Sequence, residues 1–408
     1  MTQRIWVYLT LATVTLINVI SHANVQQDAH TKSFGDALNY YRMSEQTAAP
    51  VDNPFALRML SPWLVHRAHL LTGLSLDTLW LTLTIAATLI AAVVFFEFLW
   101  NHLNLQLFTA ALVAVALACT FWYAPYVFSN PYLVDPLNNL LYMAALWFAF
   151  SKRLTLFTLV VIIGAANKET TLLLAPLYPV LAWTRHRSLR HREVIAGAIA
   201  TVIAVAAYIG YRIWAQHLIG GNYSFGAGQG NSSLLENIRF ALDGTKGTVQ
   251  LDVFTTFHFL WVIFAYGLYR LYRREGLRNP LLIASLWLFA CCLAGRLVAT
   301  DTGRVFIMMA PLILAVTAVV LDQHRGDKQR LWIGLLIATY AGLQLRWVQP
   351  PAALIIDLAA AIGFALLIHT GQLTPRPPRL NGVAATIKPR STRSNQEDTD
   401  ILPADQAP

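Results

Sequence analysis

Apolar residues fall along this chain in long blocks, and the polar ones gather in the gaps between them. The blocks are Ile5–Ile20, Leu76–Trp100, Leu105–Phe121, Tyr132–Phe150, Leu154–Ala165, Thr170–Trp183, Glu193–Trp214, Val253–Tyr269, Pro280–Val298, Val305–Leu321, Leu331–Leu345 and Ala352–His369. Most approach the length a helix needs to cross about 30 Å of hydrocarbon. Only a fold that satisfies its own backbone hydrogen bonds survives there. The pattern therefore predicts an all-α polytopic membrane protein with about twelve transmembrane helices over residues 1–370.

Two gaps are long: residues 21–75 and 215–252. The first carries Asp28, Asp36, Glu45 and Asp52 beside Lys32, Arg42, Arg58 and Arg67. Within it, Ser61-Pro62 reads as an N-cap followed by proline at the first helical position. A short amphipathic helix, Pro62–Leu71, is expected to lie on the membrane surface and to stop at Gly73. Ser21-His22-Ala23 fits a signal-cleavage pattern, but an uncleaved anchor is expected because many spans follow. Residues 371–408 are rich in proline, basic and polar residues and are expected to be a disordered cytoplasmic tail.

Charge gives the blocks a direction. Alternate gaps hold Lys152-Arg153, then Arg185, Arg187, Arg190 and Arg192, then Arg270, Arg273, Arg274 and Arg278, then Arg325, Lys328 and Arg330, then the basic tail. By the positive-inside rule this set is cytoplasmic. Both termini then face the cytoplasm, and the two long polar gaps face outward. Composition agrees: 56% of residues are hydrophobic and 12% charged, with a mean hydropathy of +0.50. A soluble protein would hold about twice that charged fraction. The net charge of +9 comes from these short basic gaps, so it orients the chain and does not point to nucleic acid. Cys119, Cys291 and Cys292 all lie in apolar blocks, with no disulfide framework or metal spacing.

The ionisable residues of the outer side are the candidates for chemistry: Asp28, Asp36, Arg58, Asp135, Lys168, Glu169, Arg296, Asp301 and Arg304. Charge at the edge of hydrocarbon is costly and marks a pathway or a site. Ser33-x-x-Asp36 fits a capping box, while a general-base role for Asp36, with Tyr40 one turn further on the same face, is compatible with it. Asp28 is the alternative base, or an ordinary loop carboxylate. Arg58 reads either as an ion pair within its own loop or as a phosphate clamp. Asn167-Lys168-Glu169-Thr170 interrupts an apolar stretch, as a plain turn or with Lys168 as an anion ligand. Arg296 and Arg304 bracket Asp301, either as snorkelling arginines or as part of a basic pocket. Asp135 reads as an interfacial group, Glu97 as a snorkelling one, and Asp357 has Arg346 as a structural partner. Gly220–Gly230 is a flexible outer loop and not a nucleotide-binding turn, because no strand precedes it.

Taken together, Gly35-Asp36 with Tyr40, Arg58-Met-Leu-Ser-Pro62, Asn167-Lys-Glu-Thr170 and Asp301-Thr-Gly-Arg304 leading into a Pro311-containing block form a pattern. It resembles bacterial membrane glycosyltransferases of the GT-C superfamily over residues 1 to about 370. The resemblance implies a sugar transfer at the periplasmic face, from a polyprenyl-phosphate-linked sugar to a glycan, lipid or protein acceptor. It gives Asp36 the catalytic role, with Asp28 in reserve. Many members carry two adjacent acidic residues there; this chain carries Gly35-Asp36. No cofactor is expected, and a divalent metal has no ligand pattern behind it. An outward site is remote from cytosolic nucleotide sugars, so a lipid-linked donor fits the topology as well. An O-antigen-type ligase or polymerase shares that site and donor but would lean on residues 215–252. A twelve-span transporter would call for an internal repeat and charges near the midplane, and neither is evident.

Overall fold

The computed structural model describes residues 2–23, 35–46, 51, 55–219, 249–296, 302–322, 327–346 and 350–369. All regular structure among them is helical. In order the helices are α1 (Thr2–His22), α2 (Gly35–Glu45), α3 (Leu60–Thr72), α4 (Leu76–Glu97), α5 (Leu107–Cys119), α6 (Pro125–Ser129) and α7 (Asp135–Phe150). They continue with α8 (Leu154–Asn167), α9 (Leu177–His186), α10 (Arg192–Ile219), α11 (Val249–Phe257), α12 (Leu260–Glu275) and α13 (Pro280–Arg296). The last are α14 (Thr302–Phe306), α15 (Ala310–Asp322), α16 (Asp327–Gln344) and α17 (Pro350–His369).

Among the described residues, five helical stretches are long and apolar enough to cross a membrane: Gln3–His22, Leu76–His102, Arg192–Leu218, Gly303–Asp322 and Ala352–His369. Leu260–Arg278 and Pro280–Arg296, bent by 108° at their junction, make a sixth if counted as one span. Leu107–Cys119, Leu154–Asn167 and Leu331–Gln344 are apolar but shorter. Gly303–Asp322 is the central post: nearly every side chain of α15 is buried. On the outside, α10 exposes Ile195, Ile199, Val202 and Ile213, and α17 exposes Leu354, Ile355, Leu358 and Ile362. Large apolar faces turned outward along whole helices suit hydrocarbon and not water.

Several local expectations change once the helices pack. Helix α3 begins one residue before Ser61, so Ser61 is not its N-cap; the Ser61 hydroxyl donates instead to Asn167 Oδ1 at 2.6 Å. The stop at Gly73 is as expected, in left-handed backbone at φ 68° where glycine carries no Cβ penalty. The block Val253–Tyr269 is broken at His258, whose φ is 51°. There His258 Nδ1 lies 2.8 Å from Asp357 Oδ2, and the Phe259 N–H donates to Asp357 Oδ1 at 3.0 Å. Asp357 thus serves a helix break and does not pair with Arg346. Glu97 does not snorkel: it is buried and accepts from the Tyr8 hydroxyl and the Asn101 amide.

The first polar gap folds as a cap with a core of its own. Ala37, Tyr40, Met43, Phe55, Leu57, Met59 and Val65 bury against Trp80 on α4, Leu133 and Val134 before α7, and Ala215 on α10. Each of Met43, Phe55, Leu57, Met59 and Val65, removed from water, contributes roughly 1.5–3 kcal/mol. Polar stitches fix the orientation. Trp80 Nε1 donates to Ser44 Oγ at 2.8 Å, and the Tyr211 hydroxyl donates to the Leu57 carbonyl at 3.0 Å. The cap is thereby held on α4 and α10, over the ends of α7 and α8.

Candidate functional site

Helix α2 carries Asp36 and Tyr40 four residues apart, hence on one face. Asp36 Oδ2 accepts from Arg304 Nη1 at 2.5 Å, although the two residues are 268 apart in sequence. Tyr40 is fully buried, and its hydroxyl accepts from Arg58 Nη1 at 2.9 Å. Arg58 follows a single 3-10 turn, Phe55–Leu57, closed by its own N–H on the Phe55 carbonyl at 2.9 Å. The rest of its fork goes to Glu169: Nε donates to Oε2 at 2.9 Å and Nη2 to Oε1.

Lys168 ends α8 in extended backbone, with φ −156° and ψ 127°, and Glu169 opens the 3-10 segment Glu169–Leu174. Gly164 lets the turn close, since a Cβ there would meet the Thr171 methyl at 2.5 Å. Lys168 Nζ donates to Asp135 Oδ1 at 2.7 Å, and Arg304 Nη2 donates to Asp135 Oδ2 at 2.8 Å. Asp135 is the first residue of α7, where the helix dipole favours a negative charge. Asn167 Nδ2 on the Val134 carbonyl at 2.9 Å and Thr171 Oγ1 on Asn138 Oδ1 at 2.7 Å bind the two helix ends together.

The result is a closed circuit: Asp36, Arg304, Asp135, Lys168, then Glu169, Arg58 and Tyr40, which returns along α2 to Asp36. Three carboxylates face three cations in it. The side chains of Asp135, Lys168, Arg58 and Arg304 are between 8% and 14% exposed, while Asp36 is 22% and Glu169 35% exposed. The opening to the outside therefore runs past the two acids, with the cations behind them.

The charges are stabilised by one another. Burial would push the Glu169 carboxyl up, but the charge and hydrogen bonds of Arg58 outweigh it and hold the group at about 2. Burial presses Lys168 below its ordinary value, and Asp135 offsets that only in part. Burial raises the Tyr40 phenol, so it stays protonated and accepts from Arg58 through a lone pair.

The circuit gathers Asp36, Tyr40, Arg58, Lys168, Glu169 and Arg304 from the residues that the sequence singled out. Arg58 pairs across 111 residues with Glu169 and not within its own loop. Asp28, Asp301 and Ser33 lie outside the described residues. Arg296, at the end of α13, makes no ion pair among the described residues, and its Nε is buried without a partner. Asp135 is the residue sequence reasoning undervalued, since it is the hub between Lys168 and Arg304 and not an interfacial group. Its signal was the hairpin: α7 and α8 are of similar length, so position 135 returns to the level of position 168.

For metals, one group of suitable ligands stands among the described residues: His186, His191 and Glu193, with ligand atoms within 4.8 Å of one another. It lies between α9 and α10, at the far end of α9 from the circuit, and Arg185 shares the Glu193 carboxylate at 3.3 Å. Comparison with family models and with curated protein sequences finds no match to this chain.

Proposed function

We propose that this chain is a membrane glycosyltransferase that moves a sugar from a polyprenyl-phosphate donor to an acceptor hydroxyl at the outer face of a bacterial inner membrane. The observation that carries this reading is the accessible carboxylate of Asp36, anchored by Arg304 at the mouth of a buried ring of charge. In this reading the acceptor O–H gives its proton to Asp36 as its oxygen attacks the anomeric carbon. The bond from that carbon to the phosphate oxygen breaks, and the electron pair leaves with the polyprenyl phosphate, whose charge needs cationic stabilisation.

The position of the circuit supports an outward site. It occupies the start of α7, the end of α8 and the start of the Gly303–Asp322 span. The opposite ends of these elements run into Lys152-Arg153 and towards Arg325, the basic gaps expected in the cytoplasm. Both termini are cytoplasmic in this reading, which counts twelve spans by adding both arms of the bent pair, the three shorter apolar helices, α7 and α9 to the five long stretches. Clustering at helix ends favours a surface enzyme over a transporter, whose charges would line the midplane.

The test compares lipid-linked glycans and envelope glycoconjugates from cells with the protein, without it, and with Asp36→Asn. Accumulation of an unused lipid-linked sugar and loss of one glycan in the last two would support the reading. Identical profiles in all three would remove it.

A further inference from the structure

We propose that Arg346, with the aromatic wall of Phe121, Trp122 and Tyr126, is the subsite for the phosphate ester of the lipid substrate. This rests on the glycosyl-transfer reading for its ligand but on separate residues for its evidence. In the circuit the cations are already matched: Arg58 is bonded to Glu169, Lys168 to Asp135, and Arg304 to Asp36 and Asp135. A phosphate placed among them would have to displace a buried carboxylate and leave it unpaired, which is costly. The charge on the leaving group needs a cation that is still available.

Arg346 is exposed and forms no ion pair and no side-chain hydrogen bond among the described residues. It is nevertheless held in place. Its guanidinium lies over the Phe121 ring, 3.5 Å from the centroid. Stacking occupies the face of the guanidinium and leaves its in-plane N–H donors for an anion, the geometry that suits a phosphate. The backbone below is fixed too. Gln344 Oε1 accepts from the Phe121 N–H at 2.8 Å, which ties the end of α16 to the end of α5. Arg346 itself adopts φ 57°, left-handed backbone at a helix end where glycine is the ordinary occupant.

The wall leads from Arg346 to the circuit. Phe121 and Trp122 meet with ring centroids 5.1 Å apart, and Trp122 and Tyr126 with centroids 4.6 Å apart. The Arg304 guanidinium lies 5.9 Å from the Tyr126 ring. Trp122 sits directly on Gly303, where a Cβ would meet the indole Nε1 at 2.3 Å. All three rings are half-buried, so part of each stays open. The wall thus runs from Arg346 to the arginine that holds Asp36, since Phe121 also meets Tyr126 directly, with centroids 6.0 Å apart.

The test is equilibrium binding to the purified full-length protein in detergent, with farnesyl phosphate, farnesol and inorganic phosphate as probes. Farnesyl phosphate should bind. Arg346→Gln should weaken it by about tenfold or more, and Arg346→Lys by less, as expected for loss of a charge-assisted hydrogen bond. Farnesol should bind wild type and Arg346→Gln alike. Inorganic phosphate that competes as strongly as the lipid would make the site one for soluble phosphate and overturn the lipid assignment. Farnesyl phosphate binding that is absent in wild type, or unchanged in Arg346→Gln, would overturn the subsite. The two readings fail separately: if Asp36→Asn keeps full transfer while Arg346→Gln loses binding, the base is wrong and the subsite stands. If Asp36→Asn abolishes transfer while Arg346→Gln binds normally, the reverse holds.

Discussion

Lys168 and Asp135, 33 residues apart, meet at one end of the α7–α8 hairpin with Nζ 2.7 Å from Oδ1. The pair is buried, and the second oxygen of Asp135 is taken by Arg304 at 2.8 Å. One carboxylate thus answers two cations, which makes Asp135 the least replaceable member of the circuit.

Asp135→Asn should therefore damage folding and not chemistry alone. It leaves Lys168 and Arg304 buried beside an uncharged amide, and breaking a buried pair in this way costs about 3–5 kcal/mol. Thermal unfolding of purified protein should show a large drop. Asp135→Asn combined with Lys168→Met should recover part of it, because the orphaned ammonium is gone. Equal melting of wild type and Asp135→Asn would show that the pair contributes nothing.

Asp36→Asn should behave in the opposite way. The amide can still accept from Arg304, so the protein should remain folded. Transfer should fall by roughly a hundredfold or more if Asp36 takes the acceptor proton. Asp28→Asn is the matched control in the same loop. Activity lost in Asp28→Asn alone would move the base upstream, and full activity in both would end the proposed mechanism.

The Arg58–Glu169 pair predicts an acid-sensitive cap. Glu169 is held at about 2 against an ordinary 4.5, so its folded form binds fewer protons than its unfolded form between those values. The stabilisation is fully present above pH 4.5 and is lost as pH falls through that window towards 2. Melting temperature should decline over this range in wild type and decline less in Glu169→Gln. A parallel decline in both would assign the acid sensitivity elsewhere.

Orientation can be tested with single cysteines in a background lacking Cys119, Cys291 and Cys292. Positions 36 and 228 should react in intact cells with an impermeant thiol reagent, and positions 190 and 273 only after lysis. Labelling at position 190 in intact cells would invert the topology and remove the outward site with it.

The sequence alone determined the helical, apolar class of the protein and singled out charged residues that the structure brings together. Apolar blocks are a local signal: helix formation depends on neighbours within a turn or two, and the blocks became α4, α5, α8, α10 and α17 close to their expected limits. Charge in so apolar a chain is costly enough that Asp36, Arg58, Lys168, Glu169 and Arg304 stood out unaided. What tertiary structure decided was who meets whom. Arg58 lies 111 residues from Glu169, and Arg304 lies 268 from Asp36. No local rule spans such separations, because the meeting depends on how helix ends align once the bundle packs. The same packing turned Ser61 from a cap into a partner of Asn167, broke a helix at His258 to meet Asp357, and made Asp135 a hub. It also left Arg346 over Phe121 with no ion pair among the described residues, since Asp357, the partner that sequence proximity suggested, was already claimed.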